Sequence, residues 1–312
     1  MSTLASQVVK GDTRSIARLI SLVENNDSTA VDPMKELHRF TGKAHVIGVT
    51  GVMGSGKSSL IYELACAYRK QGKTVGIIAI DPSSPFSGGA LLGDRIRMTD
   101  LSTDDGVFIR SMGTRGMLGG LTAAVYDVIS ILDAAGMDII LVETVGIGQD
   151  EIDIVKIADT TLVILVPGLG DSVQMIKAGL MEIADIFIVN KADKSGVEQT
   201  VAEIKSLLDI SEKCVRHIPI VKTSAKEKQG ISDLILEIQN HKKYLKTSKQ
   251  YEMRRRKRYE TELYELIRKR LINYIYDETK IKCRVDSLIE QITKKKIDPH
   301  TAADEILGKI LK

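Results

Sequence analysis

Residues 51–60, GVMGSGKSSL, set three glycines, three serines and a lysine between the apolar run HVIGVTG and a stretch with helical texture. Gly51, Gly56, Lys57 and Ser58 satisfy the pattern G-x-x-x-x-G-K-[ST], and Gly54 adds a further glycine inside the loop. Side chains this small let backbone N–H groups become the ligand for phosphate oxygens, and the helix that follows adds its positive end. Lys57 is then placed to reach the β- and γ-phosphates, and Ser58 to ligate Mg²⁺. The whole of Gly51, Val52, Met53, Gly54, Ser55, Gly56, Lys57, Ser58 and Ser59 is the expected phosphate cradle.

A loop of this kind works only between a strand and a helix, and the rest of the chain supplies that texture. HVIGVTG, KTVGIIAID, GVFIRSM, MDIILVET, TLVILVPG and IADIFIVNKAD are short Val- and Ile-rich runs separated by helix-length stretches such as 57–70, 119–134 and 171–183. Nearly continuous apolar strands alternating with helices predict an α/β fold, a mostly parallel sheet with helices on both faces and its ligand at the carboxyl ends of the strands. Before this region, Ile16, Leu19, Ile20 and Val23 share one face of an N-terminal helix. After about residue 241 the strands stop. Tyr259, Leu263, Leu266, Ile267, Leu271, Tyr274 and Ile275 form a helical stripe. A last helix follows, with Asp298 as cap, Pro299 in the first turn and Ala302, Ala303, Ile306, Leu307 and Ile310 facing inward. The expected parts are 1–43, 44–240 and 241–312.

NKAD, Asn190 to Asp193, follows the apolar run DIFIV and so falls at a strand's carboxyl end. A carboxylate there accepts from both N1–H and the exocyclic N2 amine of guanine, an arrangement adenine does not offer. Lys191 can lay its stem over the base, and Thr223, Ser224 and Ala225, after HIPIVK, are placed to meet guanine O6 through backbone N–H. Three carboxylates and a glycine complete the set: Asp81 and Glu143 at strand ends, Asp94 in a Gly-rich connection, and Gly146 where an N–H can meet the γ-phosphate. Carboxylates beside a triphosphate usually hold Mg²⁺, directly or through water. Ile147, not glutamine, follows Gly146, so unassisted hydrolysis is expected to be slow.

Composition sets the outer limits. With 312 residues, 43% of them apolar, the chain can bury a sizeable core. No apolar run approaches a membrane span and no apolar leader opens the chain, which predicts a soluble cytoplasmic protein with no membrane partner. Cys66, Cys214 and Cys283 lie far apart, odd in number and without a CxxC pair, and read as reduced thiols. Residues 241–312 carry 20 Lys/Arg against 11 Asp/Glu. Few aromatics accompany the run Arg254, Arg255, Arg256, Lys257, Arg258, so nucleic acid is not the expected partner, and the run reads as a solvated helix face or a subunit contact.

In order, GVMGSGKSSL, AIDPSSPFSGGALLGDRIRM, IRSMGTRGMLGGL, VETVGIGQDE, PGLGDSVQMIKAGL and NKAD resemble the methylmalonyl-CoA mutase-associated GTPases, the MeaB/ArgK type in the metallochaperone-like branch of P-loop GTPases. GDTRSIARLISLVEN and IDPHTAADEIL extend the resemblance over nearly the whole chain. Met53, Ser59 and Met117 stand where relatives commonly have proline, threonine and histidine. The resemblance implies a homodimeric GTPase that binds GTP/GDP with Mg²⁺. As a chaperone it would gate cofactor loading of an adenosylcobalamin-dependent acyl-CoA mutase and protect that enzyme. It assigns Lys57 and Ser58 to the phosphates and metal, Asp81, Asp94 and Glu143 to metal and water, and Lys177 to a third loop segment, 167–178. It makes the helical tail a dimerisation arm. Two other roles stand beside this one, a nickel-inserting metallochaperone GTPase of the same branch and the transport-linked kinase role attached to similar sequences. The first needs a Cys/His cluster, whereas His38, His45, His217, His241 and His300 are scattered; the second fits a guanine-reading NKAD poorly.

Overall fold

The structure is a computed structural model and describes residues 1–81, 98, 100–113, 123–144, 153–168, 181–210, 217–277 and 279–310. Among the described residues seven strands form one sheet: β1 (His45–Gly51), β2 (Val75–Asp81), β3 (Val107–Gly113), β4 (Ile139–Glu143), β5 (Thr160–Leu165), β6 (Ile186–Val189) and β7 (Ile220–Lys222). Their order is β3-β2-β4-β1-β5-β6-β7, and every pairing is parallel. β1, β4, β5 and β6 are buried along their whole length, as strands covered on both faces must be, whereas the edge strand β3 is half-buried. Each strand expected from the apolar runs is present. From β1 the chain builds outward to one side, and after β4 it crosses to the other, which opens a crevice at the carboxyl end of β1.

Helices cover both faces. On one, α1 (Thr3–Val9), α2 (Thr13–Glu24), α3 (Val31–Leu37), α5 (Ala123–Ala134) and α6 (Val197–Ile210) close a core with Val46, Ile78, Ile140 and Phe187. Asp12 caps α2 by accepting from the Ser15 N–H at 2.8 Å, and Ile16, Leu19, Ile20 and Val23 are its buried stripe, as their spacing predicts. On the other face α4 (Lys57–Lys70) and α7 (Ile231–Thr247) pack Leu60, Leu64, Leu234 and Ile238 against Ile47, Ile77 and Leu162. The expected helix 171–183 lies mostly outside the described residues, with Met181–Ile183 helical at its end.

The chain divides into two compact units, Met1–Arg258 and Tyr259–Lys312, and α8 (Gln250–Asp277) contributes to each. In the second unit α8 is followed by α9 (Thr279–Thr293), which the sequence reading did not separate, and by α10 (Pro299–Ile310). Asp298 caps α10, accepting from the N–H groups of His300 and Thr301 at 2.9 and 3.0 Å. Ala302 and Ile306 pack with Leu288, whereas Ala303 and Leu307, expected inward, are exposed. A helix covered on one side by one neighbour buries a narrow i, i+4 row, not a wide face. Leu263, Ile267, Leu271 and Tyr274 of the α8 stripe are 44–58% exposed.

The amino ends of the central strands are closed by charge. Asp185, just before β6, accepts from the Thr161 N–H at 2.9 Å and takes a two-pronged contact from Arg254, both bonds at 2.7 Å. Asp159, before β5, accepts from the Val46 N–H at 2.9 Å and has Arg255 and Arg258 at 3.7 and 3.8 Å. Between them runs a hydrogen-bonded row: His45 Nε2 to Thr160 Oγ1 at 2.8 Å, and Thr160 Oγ1 to His241 Nδ1 at 2.8 Å, with His241 Nε2 3.2 Å from Asp185. This corrects the reading of the basic run. Arg256 and Lys257 are solvated, but Arg254, Arg255 and Arg258 project from one face of α8 into the first unit. Spacing of 254, 255 and 258 puts them on one side of a helix, where two buried carboxylates meet them.

Candidate nucleotide site

The glycines of the loop are needed for two different reasons. Gly51 ends β1 at φ +147°, and a Cβ there would lie 2.4 Å from the carbonyl oxygen of Ile164; Gly56 begins α4 from a left-handed φ of +89°, and a Cβ would lie 2.5 Å from Asn190 Nδ2. Only a residue without a side chain lets β5 and the Asn190 amide approach the loop this closely. Gly54, also left-handed at φ +76°, faces open space, as does Met53, which is 62% exposed. Val52 and Ser55 are buried, and Ser59 is half-buried on α4.

Lys57 opens α4, and its ammonium donates back across the loop to the carbonyls of Gly51 at 2.8 Å and Val52 at 3.2 Å. The cation is thereby held over the cradle, at the positive end of a 14-residue helix, where an anion gains most. Ser58 Oγ donates to Glu143 Oε1 at 2.7 Å, so the carboxyl end of β4 meets the loop directly. Asp81 closes β2 opposite Gly113, two strands from the loop. Asp94, Gly146 and Lys177 lie outside the described residues.

The base-side motif is built into the same structure. Buried Asn190 donates from Nδ2 to the Ser55 carbonyl at 2.8 Å, while its Oδ1 accepts from Thr223 Oγ1 at 3.1 Å and the Ala225 N–H at 3.4 Å. Asn190 therefore braces three segments: the phosphate loop, its own turn and the turn after β7. Lys191 holds a left-handed backbone, φ +60°, and its ammonium donates to the Gly54 carbonyl at 2.7 Å. Asp193 accepts from Ser224 Oγ at 2.7 Å, and that bond, with a backbone one, keeps its carboxyl below the ordinary carboxylate range. The carboxylate is thus ionised at neutral pH and held by Ser224. Residues more than 130 positions apart in sequence therefore share hydrogen bonds at one rim of the sheet.

Sequence reasoning identified the residues of this rim but not the bonds from Asn190 and Lys191 to the loop carbonyls, which depend on β1 and β6 having β5 alone between them. The family model for the methylmalonyl Co-A mutase-associated GTPase MeaB matches residues 16–280. A Pyrococcus abyssi protein named as a GTPase is 48% identical over 99% of this chain and 96% of its own length. The mouse methylmalonic aciduria type A homolog, mitochondrial, is 29% identical over 97% of this chain and 78% of its own. Among solved structures, that of an LAO/AO transport system kinase superposes with a TM-score of 0.70 at 22% identity, covering 99% of this chain and 97% of that one, a likeness of fold. With the G-x-x-x-x-G-K-S loop and the NKAD turn braced against each other, and with the family model spanning most of its length, the chain belongs to the MeaB family of P-loop GTPases, which bind and hydrolyse GTP.

Proposed function

We propose that this GTPase is the chaperone of an adenosylcobalamin-dependent acyl-CoA mutase of the methylmalonyl-CoA type, gating entry of the cofactor and protecting the loaded enzyme. The observation that carries the reading is the extent of the family match, which runs from α2 through the sheet and along all of α8, not over the nucleotide fold alone. In this reading Asp193 selects guanine. Lys57 serves the phosphates, and Ser58, Asp81, Asp94 and Glu143 hold Mg²⁺ and water. The donor set suits that ion, because a hydroxyl and a carboxylate oxygen 2.7 Å apart beside a phosphate cradle are hard oxygen ligands. When bound, Mg²⁺ neutralises charge on the phosphates, while Lys57 and the loop N–H groups orient them. Lys177, in the segment 167–178, acts when the client is bound, which is how a slow enzyme acquires its missing geometry.

The exposed stripe on α8 supports a homodimer. No helix among the described residues is long and apolar enough to cross a membrane, and we place the protein in the cytoplasm. Two of the five histidines, His45 and His241, are hydrogen-bonded at the opposite end of the sheet, which gives a nickel-inserting role no support from them.

GTP turnover with and without a cognate mutase tests the reading, for the parent and Lys177→Ala. Stimulation by the mutase, lost in the variant with the basal rate kept, is expected. So is mutase binding that is tighter with a GTP analogue than with GDP, because coupling of two binding events is reciprocal. An unstimulated parent that binds equally with both nucleotides overturns it. Removing residues 259–312, which spares the arginine anchors, is expected to give monomers in sedimentation that still bind GDP; a persisting dimer excludes the arm as the interface.

A further inference from the structure

Two hydroxyls are buried against each other on the sheet face that also carries Val142 and Val163. Thr50 precedes the first loop glycine and Thr144 follows Glu143; neither is more than 1% exposed, and Thr144 Oγ1 donates to Thr50 Oγ1 at 3.1 Å. The Thr144 N–H also donates to the Val49 carbonyl at 3.1 Å, extending the β4–β1 pairing one residue past β4. Val163 pairs with Thr50 from β5, and Val142 and Val163 belong to the apolar core of this face. Valine has the shape of threonine without a hydroxyl to satisfy. Burying two hydroxyls costs more than the single bond between them returns, so two valines would serve the core at least as well.

What the hydroxyl pair adds is direction. It links the residue before the phosphate loop to the residue after the carboxylate that receives Ser58, so it lies behind the Ser58–Glu143 bond and joins the same two segments. We infer that Thr50 and Thr144 are positioning residues that fix Glu143 against the phosphate loop and so set how strongly the divalent cation holds the nucleotide. This rests on the assignment of Mg²⁺ to Ser58 and Glu143 made above.

The test is release of a fluorescent GDP from the full chain, followed across a Mg²⁺ titration and in EDTA, beside thermal melting. Thr144→Val and Thr50→Val should each raise the Mg²⁺ concentration for half-maximal slowing of release about five-fold, the worth of one hydrogen bond. The double valine variant should show the same five-fold, not its square, because both singles lose one shared bond. It should also melt no lower than either single, since no orphaned hydroxyl remains. Thr144→Ser should stay near the parent, and release in EDTA should be alike for all. Unchanged Mg²⁺ half-points in the valine variants, or effects that multiply in the double, overturn the inference. A parent that releases GDP equally fast in Mg²⁺ and EDTA instead removes the metal assignment itself.

Discussion

The two ends of the sheet use the same residue types to opposite purposes. At the carboxyl ends, Lys57 and Lys191 spend their ammonium groups on loop carbonyls, partners that, in the proposed function, a nucleotide's phosphates and base replace or share. At the amino ends, Arg254, Arg255 and Arg258 meet buried carboxylates that no ligand can reach to replace them. The difference lies in what is left when the pairing breaks. Opening the first set exposes groups to a ligand or water, whereas opening the second strands a charge in the core.

The largest effect should come from the second set. Arg254→Ala removes two bonds from Asp185 and is expected to cost about 3–5 kcal/mol in urea unfolding. GDP affinity of the folded protein should stay within a few-fold; a loss under about 1 kcal/mol would make the two ends equivalent after all. Lys57→Ala should do the reverse, lowering GTP turnover by roughly 10²-fold or more while melting changes little. Equal damage to stability and turnover would erase the contrast.

Asp193→Asn sharpens the picture of the exchangeable end. The amide donates where the carboxylate accepted, so preference should pass from GTP to XTP, with GTP weakened by roughly 10²-fold. Equal GTP affinity in variant and parent removes the guanine assignment.

Acid should act at the closed end. Burial first, then Lys242, His241, Arg255 and Lys246, depress His45 to about 3, so the folded chain refuses a proton that the unfolded chain accepts near pH 6.5. Stability should therefore fall on acidification below pH 6.5 by about 1.4 kcal/mol per pH unit, before carboxylates such as Asp185, also depressed, add their own loss below about pH 4. His45→Gln should flatten the slope between pH 6 and 4.5; an unchanged slope there assigns it elsewhere. The smallest effect is expected from Ser224→Ala, which frees the Asp193 carboxylate to rotate and should weaken GTP about five-fold without changing its preference over XTP.

Much of the exchangeable end was legible in the sequence because its chemistry is local. Four positions define the loop and four define NKAD, and the apolar runs place both at strand ends. The closed end was not. Arg254 and Asp185 are 69 residues apart, and a run of five basic residues looks the same in one dimension whether it faces water or carboxylates. Asp159 and Asp185 sit just before apolar runs, where they read as ordinary boundary residues. Likewise Ala303 and Leu307 match a helical stripe on paper, and the packing partner, not the period, decided which half of it was covered.

The closed end also carries its own gauge. The amide hydrogens of Val46 and Thr161 are donated not to a neighbouring strand but to the carboxylates of Asp159 and Asp185. Their exchange with heavy water therefore reports how often those carboxylates let go, separately from fraying of the sheet. Followed with and without GDP, these two probes would register whether filling one rim of the sheet is felt at the other, with no label introduced and no residue changed.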